Sequence, residues 1–514
     1  MKSEIKKGVV LSYLFLAISN IVSILYTPFL IRQLGQSEYG LYSLINSIIG
    51  YLSILDLGFG SAIVVYTSKY RALNKKEEEN RLHGMFFLIF SIIGLITSVA
   101  GFILFLNADN MFASTMTDLE LQKAKILLLI MTFNIAISFP FSIYSSIITA
   151  YEKFVFQKII AIARVLINPI IMIPILFMGY KSIALTIVIT VLNIICLMIN
   201  YFYCKKKLNI SVRFNGFDTN LFKEIFAYSF FIFINTIVDK VNWSADQIIL
   251  GAVSGTIAVS IYAVASQFNS MYLAFSTAIS GVNLPKITRM ISTNASDEEV
   301  SNEFIKIGRI QYYLMLLIIT GFIFFGKEFI ILWAGSEYEL AYYIALILMI
   351  PVTIPLTQNT GISILQAKNM HKFRSVVYIC IALVNIVLSI PLAKSLGGIG
   401  SAIGTALALI IGNIITMNIY YYYKANINIP KYWKNILSIS YKEVVPIVFM
   451  IVFLNIFKIS GITKLLIGIP LYCIIYSIYT YFIVFNDYEK LLIKEPISKV
   501  LKKVEVLFGK YSRT

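Results

Sequence analysis

"MFFLIFSIIGLITSVAGFILFL", Met85–Leu106, runs for 22 residues without one charged side chain. At ~1.5 Å of rise per residue, a helix of that length crosses the ~30 Å hydrocarbon core of a bilayer. A backbone in hydrocarbon has to satisfy its own N–H and C=O groups, and a helix does so within one segment. The texture repeats along the chain, which is 58% hydrophobic and 13% charged; an ordinary soluble domain carries about 25% charged residues. The chain therefore reads as an all-α polytopic membrane protein.

Fourteen candidate spans follow from the apolar runs, starting near Gly8, Tyr39, Gly84, Gln122, Gln157, Ser182, Lys223, Ala258, Ile307, Leu340, Phe373, Gly400, Val445 and Lys464. The first is read as a retained span, because its apolar stretch is too long for a signal-peptide core. Loop charge sets the expected orientation. Lys69, Arg71, Lys75, Lys76 and Arg81 crowd one loop, and Lys205, Lys206, Lys207 and Arg213 another, whereas Asn107–Gln122 has acids and neither Lys nor Arg. By the positive-inside rule both termini are cytoplasmic in a multi-pass cell-membrane protein. The aromatic run Tyr420–Tyr423 fits the inner interface. The net charge of +17 is spread over these loops, which argues for membrane topology and against nucleic acid as a partner. The tail from Glu495 places Ile497, Val500, Leu501, Val504, Leu507 and Phe508 on one helical face among lysines. It reads either as a basic amphipathic helix on the anionic leaflet or as a solvated helix packed on the bundle.

The chain also repeats itself. An offset of 217 matches Ala150 with Ala367, Phe156 with Phe373, Asn168 with Asn385 and Pro174 with Pro391, and an offset of 220 pairs Gly35–Leu44 with Gly255–Val264. Six spans per half is an even number, so the halves share one topology, related by an axis along the membrane normal. The expected organisation is a bundle over 1–215, a second over 216–424, two further spans over 425–485 and a cytoplasmic basic tail over 486–514.

Ionisable and amide side chains inside spans are costly and mark interior faces. Asn235, Asp239, Asn242 and Asp246 fall at i, i+4, i+7 and i+11, on one helix face, with Lys240 beside them. Asn20, Ser23 and Thr27 form a milder strip in the first span. Gln267 and Asn269 add polarity to span eight, and Gln358 lies in span ten near Pro351 and Pro355, which free backbone carbonyls. Interhelical hydrogen bonding and a cavity wall are the two readings of these stripes. Arg164, about two turns into span five, and Lys240, near mid-membrane, are cations that suit phosphate oxygens; Arg309, Arg32 and Lys125 lie nearer span ends, and for these three and Arg164 snorkelling to headgroups competes. Asp56 sits near mid-span in "LDLGFG", where Gly58 and Gly60 allow close helix approach or a loosened backbone. Asp56, Asp239 and Asp246 are the candidates for proton or sodium coupling, with structural pairing as the alternative. Cys196, Cys204, Cys380 and Cys473 have no metal spacing, and the two histidines, His83 and His371, lie near loops. No catalytic residue, metal site or cofactor is expected.

"LGQSEYGLYSL" (Leu34–Leu44), "LDLGFGSAIVVYTSKYRALNKKEEE" (Leu55–Glu79) and "DQIILGAVSGTIAVSIYAVASQF" (Asp246–Phe268) resemble the polysaccharide flippases. These are the O-antigen and capsule repeat-unit translocases of the multidrug/oligosaccharidyl-lipid/polysaccharide exporter superfamily. The resemblance implies a two-lobed bundle that opens alternately to each side. It also implies an undecaprenyl-pyrophosphate-linked oligosaccharide as substrate, moved from the inner to the outer leaflet, with membrane lipids, a polysaccharide polymerase and glycosyltransferases as partners. Substrate contact is expected from Arg164, Lys240, Asn235, Asn242, Gln267, Gln358 and Asn20. Two transporter alternatives stand beside it: a lipid II flippase, which the fourteen spans resemble, and a multidrug exporter using the aspartates. A membrane polymerase or glycosyltransferase is disfavoured, because no loop exceeds about 20 residues.

Overall fold

The computed structural model describes residues 2–210, 212, 217–280, 284–368, 370–492 and 494. The tail expected to lie on the leaflet falls, from residue 495 on, outside the described residues. Among the described residues the chain is helical and has no strand. The helices are α1 (Lys2–Leu34), α2 (Gln36–Leu52), α3 (Phe59–Ala72), α4 (Lys76–Phe112), α5 (Asp118–Ala150), α6 (Phe154–Phe177) and α7 (Ser182–Lys207). Then come α8 (Thr219–Val253), α9 (Gly255–Ser280), α10 (Leu284–Ser292), α11 (Asp297–Ala334), α12 (Glu339–Thr357), α13 (Asn359–Ala367) and α14 (His371–Leu409). After a π-helical turn at Ile410–Thr416 follow α15 (Met417–Tyr423), α16 (Ile429–Phe457) and α17 (Gly461–Val484). Eleven segments are long and apolar enough to cross a membrane, by length and composition, among the described residues. They establish the all-helical, polytopic architecture read from the sequence; fourteen crossings remain an expectation.

Local chemistry explains where these helices begin and break. The Thr117 hydroxyl accepts the Glu120 N–H at 3.3 Å while the Glu120 carboxylate accepts the Thr117 N–H at 2.9 Å, a reciprocal cap at the start of α5. Ser296 and Glu299 build the same box for α11, and Asp218 accepts the N–H groups of Asn220 and Leu221 to start α8. The segment Lys372–Tyr423 is 52 residues long, about twice what one crossing needs. It folds back at Gly397, whose φ of 58° and ψ of −136° end one helical run and begin another. The arms pack so closely that a Cβ on Gly404 would come within 2.5 Å of the Ser389 hydroxyl.

The repeat in the sequence is realised in matching contacts. Phe156 stacks on Tyr203 with ring centroids 3.7 Å apart, and their counterparts at the 217 offset, Phe373 and Tyr420, stack at 4.0 Å. The helix starts Gln36, Lys76, Asp118 and Phe154 recur in the same order at Gly255, Asp297, Glu339 and His371.

The described chain divides into two compact units. The first holds residues 1–267 and 378–408. Its core is aromatic and aliphatic, with Phe59, Phe86, Phe90, Phe139 and Ile143 buried together from α3, α4 and α5. Within it, α2 and α3 run along α8. Gly251 packs on Leu44, Ser47 donates to Gln247 at 2.5 Å, Tyr51 donates to the Lys240 carbonyl at 3.2 Å, and Tyr66 donates to Glu224 at 3.0 Å. The second unit holds 268–377 and 409 onward. There α11 packs on α12, α16 and α17, around Phe325, Met450, Tyr472 and Tyr476.

Candidate functional site

Asp246, on α8 of the first unit, is an acid held by hydroxyl groups. It is buried, and hydroxyls from three places on the chain converge on it. Ser401 donates to Oδ1 at 2.6 Å, while Tyr262 and Thr405 approach Oδ2 at 2.6 and 2.7 Å. Asn385 and Ser389 extend the network, with Thr405 3.1 Å and Ser389 2.7 Å from Asn385 Oδ1. The fold supplies these partners by the Gly397 turn, which brings Ser401 and Thr405 back beside Asn385. Three hydroxyl donors stabilise the ionised carboxylate, and a proton or a hard cation would take its oxygens only in exchange for those bonds. Among the described residues no group of three His, Cys, Asp or Glu side chains could hold a metal ion. Only Asp246 was visible as a candidate from the sequence. Ser401, Thr405, Tyr262 and Asn385 read as ordinary small or aromatic residues of apolar helices, and the 217 repeat pairing of Asn385 was the one available signal.

A second polar locus in the same unit lies among α1, α6 and α7. Arg164 lines a cavity of about 280 Å³ with Ser19, Ser23, Tyr26 and Asn168. Ser23 also accepts from Gln267 Nε2 at 2.9 Å, and Thr27 does so at 3.3 Å. The α1 strip expected from Ser23 and Thr27 therefore meets the polar residue of α9, as an interior face should. Asn20, the third member of the strip, is exposed.

The remaining candidates disperse. On α8, Asn242 is buried, Asp239 is exposed and Lys240 is half-buried, its ammonium running beside Gly50. The Asn235 side chain lies outside the described residues. Gln358 belongs to the second unit, buried at the break between α12 and α13, and donates to Asn418 at 2.9 Å. Its neighbours Thr353 and Thr357 are tied to Tyr272 and Tyr432 at 2.8 and 2.6 Å. Asp56 ends a short 3-10 turn, Ser53–Asp56, and the chain then turns through Leu57 (φ 53°) and Gly58 (φ 73°) before α3 starts. Its carboxylate lies beside the backbone of Gly58 and Gly60, at the start of a helix that resumes inside a span. Arg309, a possible snorkelling residue by sequence, is instead locked to Glu489 at 2.7 and 3.0 Å, with Asn435 and Tyr313 completing its bonds. Lys125 pairs with Asp109 at 2.6 Å.

Solved membrane transporters share this repeat-built helical fold. The lipid II flippase MurJ in an inward closed conformation superimposes with a TM-score of 0.71 at 18% identity, over 92% of this chain and 98% of that one. An inward-facing multidrug resistance MATE family transporter of the MOP superfamily gives 0.61 at 13% identity, over 77% and 96%. The chain belongs to the polysaccharide biosynthesis protein family, whose model matches residues 5–291. A protein of Shigella flexneri whose name assigns it to O-antigen transport is 20% identical over 413 residues, 79% of this chain and 94% of its own. The uncharacterized membrane protein EpsK of Bacillus subtilis (strain 168) is 22% identical over 416 residues, 78% and 80% of the two chains. The likeness to polysaccharide flippases read from the motifs is thus met by family, relatives and fold.

Proposed function

We propose that this protein flips an undecaprenyl-pyrophosphate-linked oligosaccharide from the inner to the outer leaflet of the cell membrane, by alternating access between its two repeat-related halves. The observation that carries the reading is electrostatic. Arg164 and Lys240 sit within the helices of the first unit, and among the described residues neither has a carboxylate within ion-pair distance. Uncompensated cations in a membrane protein are costly, and a pyrophosphate passing through is the counter-charge this reading supplies. Asn20, Asn235, Asn242, Gln267 and Gln358 are assigned to the sugar, and Asp246, with its ring of hydroxyls, to the coupling ion. Both termini are placed in the cytoplasm, and polymerase and glycosyltransferases act on either side of the transport step.

The test is genetic and chemical together. Cells lacking the protein are expected to lose surface polysaccharide and accumulate cytoplasm-facing lipid-linked repeat units. Arg164→Ala or Lys240→Ala should fail to restore them. Full polymer in cells carrying either variant, correctly inserted, would remove these residues from the mechanism. Lipid II is a second cargo with the same pyrophosphate chemistry. Rescue of cells depleted of their own lipid II flippase would assign the protein to that cargo instead.

A further inference from the structure

The two polar loci of the first unit occupy equivalent places in the two repeats. At the 220 offset Asp246 of α8 corresponds to Tyr26 of α1, and Tyr262 of α9 to Tyr42 of α2. At the 217 offset Asn385 of α14 corresponds to Asn168 of α6. In the second repeat these positions build the carboxylate cluster, in which both oxygens of Asp246 are taken by hydroxyls. In the first repeat Tyr26 and Asn168 line one cavity, and the acid is absent. A cation stands there instead. Arg164 is four residues before Asn168, one turn away on the same helix, and its counterpart at the 217 offset is Ile381, buried and apolar. The repeat has placed opposite charges in the same architectural slot.

The two slots also differ in how well they are satisfied. Around Asp246 the carboxylate is fully engaged. Around Arg164 three wall atoms, Ser19 Oγ, Tyr26 Oη and Asn168 Oδ1, are buried with no hydrogen-bond partner, and the space they border is about 280 Å³. Buried polar groups are seldom left unpaired, and each such group calls for an explanation. Snorkelling does not supply one. Arg164 lies ten residues from the start of α6 at Phe154, which is about 15 Å of helix and half of a ~30 Å hydrocarbon core. What the wall offers is a guanidinium fork, three hydroxyls and an amide, with no acid among the cavity's lining residues. The guanidinium and the hydroxyls donate hydrogen bonds to an oxyanion, whereas the free Asn168 Oδ1 only accepts, and so pairs with a protonated oxygen of the ligand.

We propose that the cavity lined by α1, α6 and α7 is a binding site for a phosphate-type oxyanion, with Arg164 as its charge partner and the Ser19 and Tyr26 hydroxyls as its hydrogen-bond donors. It is a discrete subsite of the first repeat, and the second repeat's equivalent slot has become the acid cluster. The proposal deepens the flippase reading, on which it rests for the assignment of the anion to a carried lipid. The existence of the site is testable without that reading.

The experiment uses the full chain, purified in a phosphate-free maltoside detergent, with undecaprenyl pyrophosphate, undecaprenol and inorganic pyrophosphate as probes. Undecaprenyl pyrophosphate is expected to bind the wild type at least tenfold more tightly than undecaprenol. Arg164→Gln should abolish that preference and Arg164→Lys restore part of it. Tyr26→Phe, which removes one hydroxyl and little volume, should weaken binding about threefold, and it keeps the test open if Arg164→Gln fails to insert. Competition by inorganic pyrophosphate at comparable concentration assigns the site to the free ion. Binding of the lipid without such competition assigns it to the lipid-borne group. Either outcome supports an oxyanion site. An undiminished preference in both Arg164→Gln and Tyr26→Phe overturns it. If the site binds as described while cells lacking the protein keep normal surface polysaccharide, the flippase reading falls and the site stands.

Discussion

Asp56 and Asp246 are both carboxylates within apolar helices, yet their surroundings give them different work. Asp56 lies beside the first backbone N–H groups of the helix that resumes after a left-handed turn, the place of a helix cap. Replacing a cap by Ala costs about 1 kcal/mol, and Asn at the same place keeps an accepting oxygen. Asp56→Asn is therefore expected to retain expression and transport, and Asp56→Ala to lower thermal stability in detergent. Loss of transport by a well-folded Asp56→Asn would instead give the charge itself a role. Asp246 holds three hydroxyl donors. At roughly 0.6–1 kcal/mol for each intramembrane hydrogen bond, Asp246→Ala should destabilise the protein by about 2–3 kcal/mol. Asp246→Asn should be nearly as stable as the wild type and lose any dependence of transport on an ion gradient. Uphill transport that survives in Asp246→Asn would strike it from the coupling step.

Among the elements, the helix ends and breaks are decided by short-range chemistry that the sequence displays. Thr117-x-x-Glu120 and Ser296-x-x-Glu299 announce their helices, as does Asp218. The prolines Pro351 and Pro355 precede the interruption at Gln358. The glycines of "LDLGFG" do mark a loosened backbone. Less legible is what anchors one element to another. Arg309 on α11 and Glu489, beyond the end of α17, are 180 residues apart, and no local pattern pairs them. Their side chains are 14% and 2% exposed, so removing one partner strands the other as a buried charge, a cost of about 3–5 kcal/mol. Glu489→Ala is expected to lower the unfolding temperature and to speed proteolysis of the chain after Val484. Replacing Lys125, whose partner Asp109 is half exposed, should change little, since exposed pairs contribute about 0–1 kcal/mol.

At the scale of the whole molecule, the repeat-related starts of α2 and α9 meet within the first unit. A Cβ on Gly40 would lie 1.8 Å from the Thr256 carbonyl oxygen, and Glu120 joins Ser37 and Thr256 through one carboxylate oxygen. In the alternating-access cycle proposed for this protein, this junction has to part. A chain freed of Cys196, Cys204, Cys380 and Cys473 and carrying Ser37→Cys with Thr256→Cys brings two thiols to positions whose native hydroxyls are 3.4 Å apart. Oxidation is expected to cross-link them and stop transport, and reduction to restore it. Undiminished transport by fully cross-linked protein would show that this end stays closed. Gly40→Leu should fail to assemble, visible as loss of folded protein after extraction.

Hydropathy, loop charge and internal spacing are local or periodic properties, so the sequence alone determined the membrane class, the all-helical fold, the duplication and the family. It also singled out Arg164 and Asp246, because a charge inside an apolar run is conspicuous wherever it points. What surrounds each charge was decided only by tertiary structure. Ser401 and Thr405 reach Asp246 because Gly397 folds one helical run back along another, and Ser19 and Tyr26 face Arg164 because α1 packs on α6. Such partners are hydroxyls and amides more than 100 residues away, with nothing in their own neighbourhoods to distinguish them. Helix packing, which pairs faces and not sequences, is what turned one duplicated position into an acid cluster and the other into a cationic cavity.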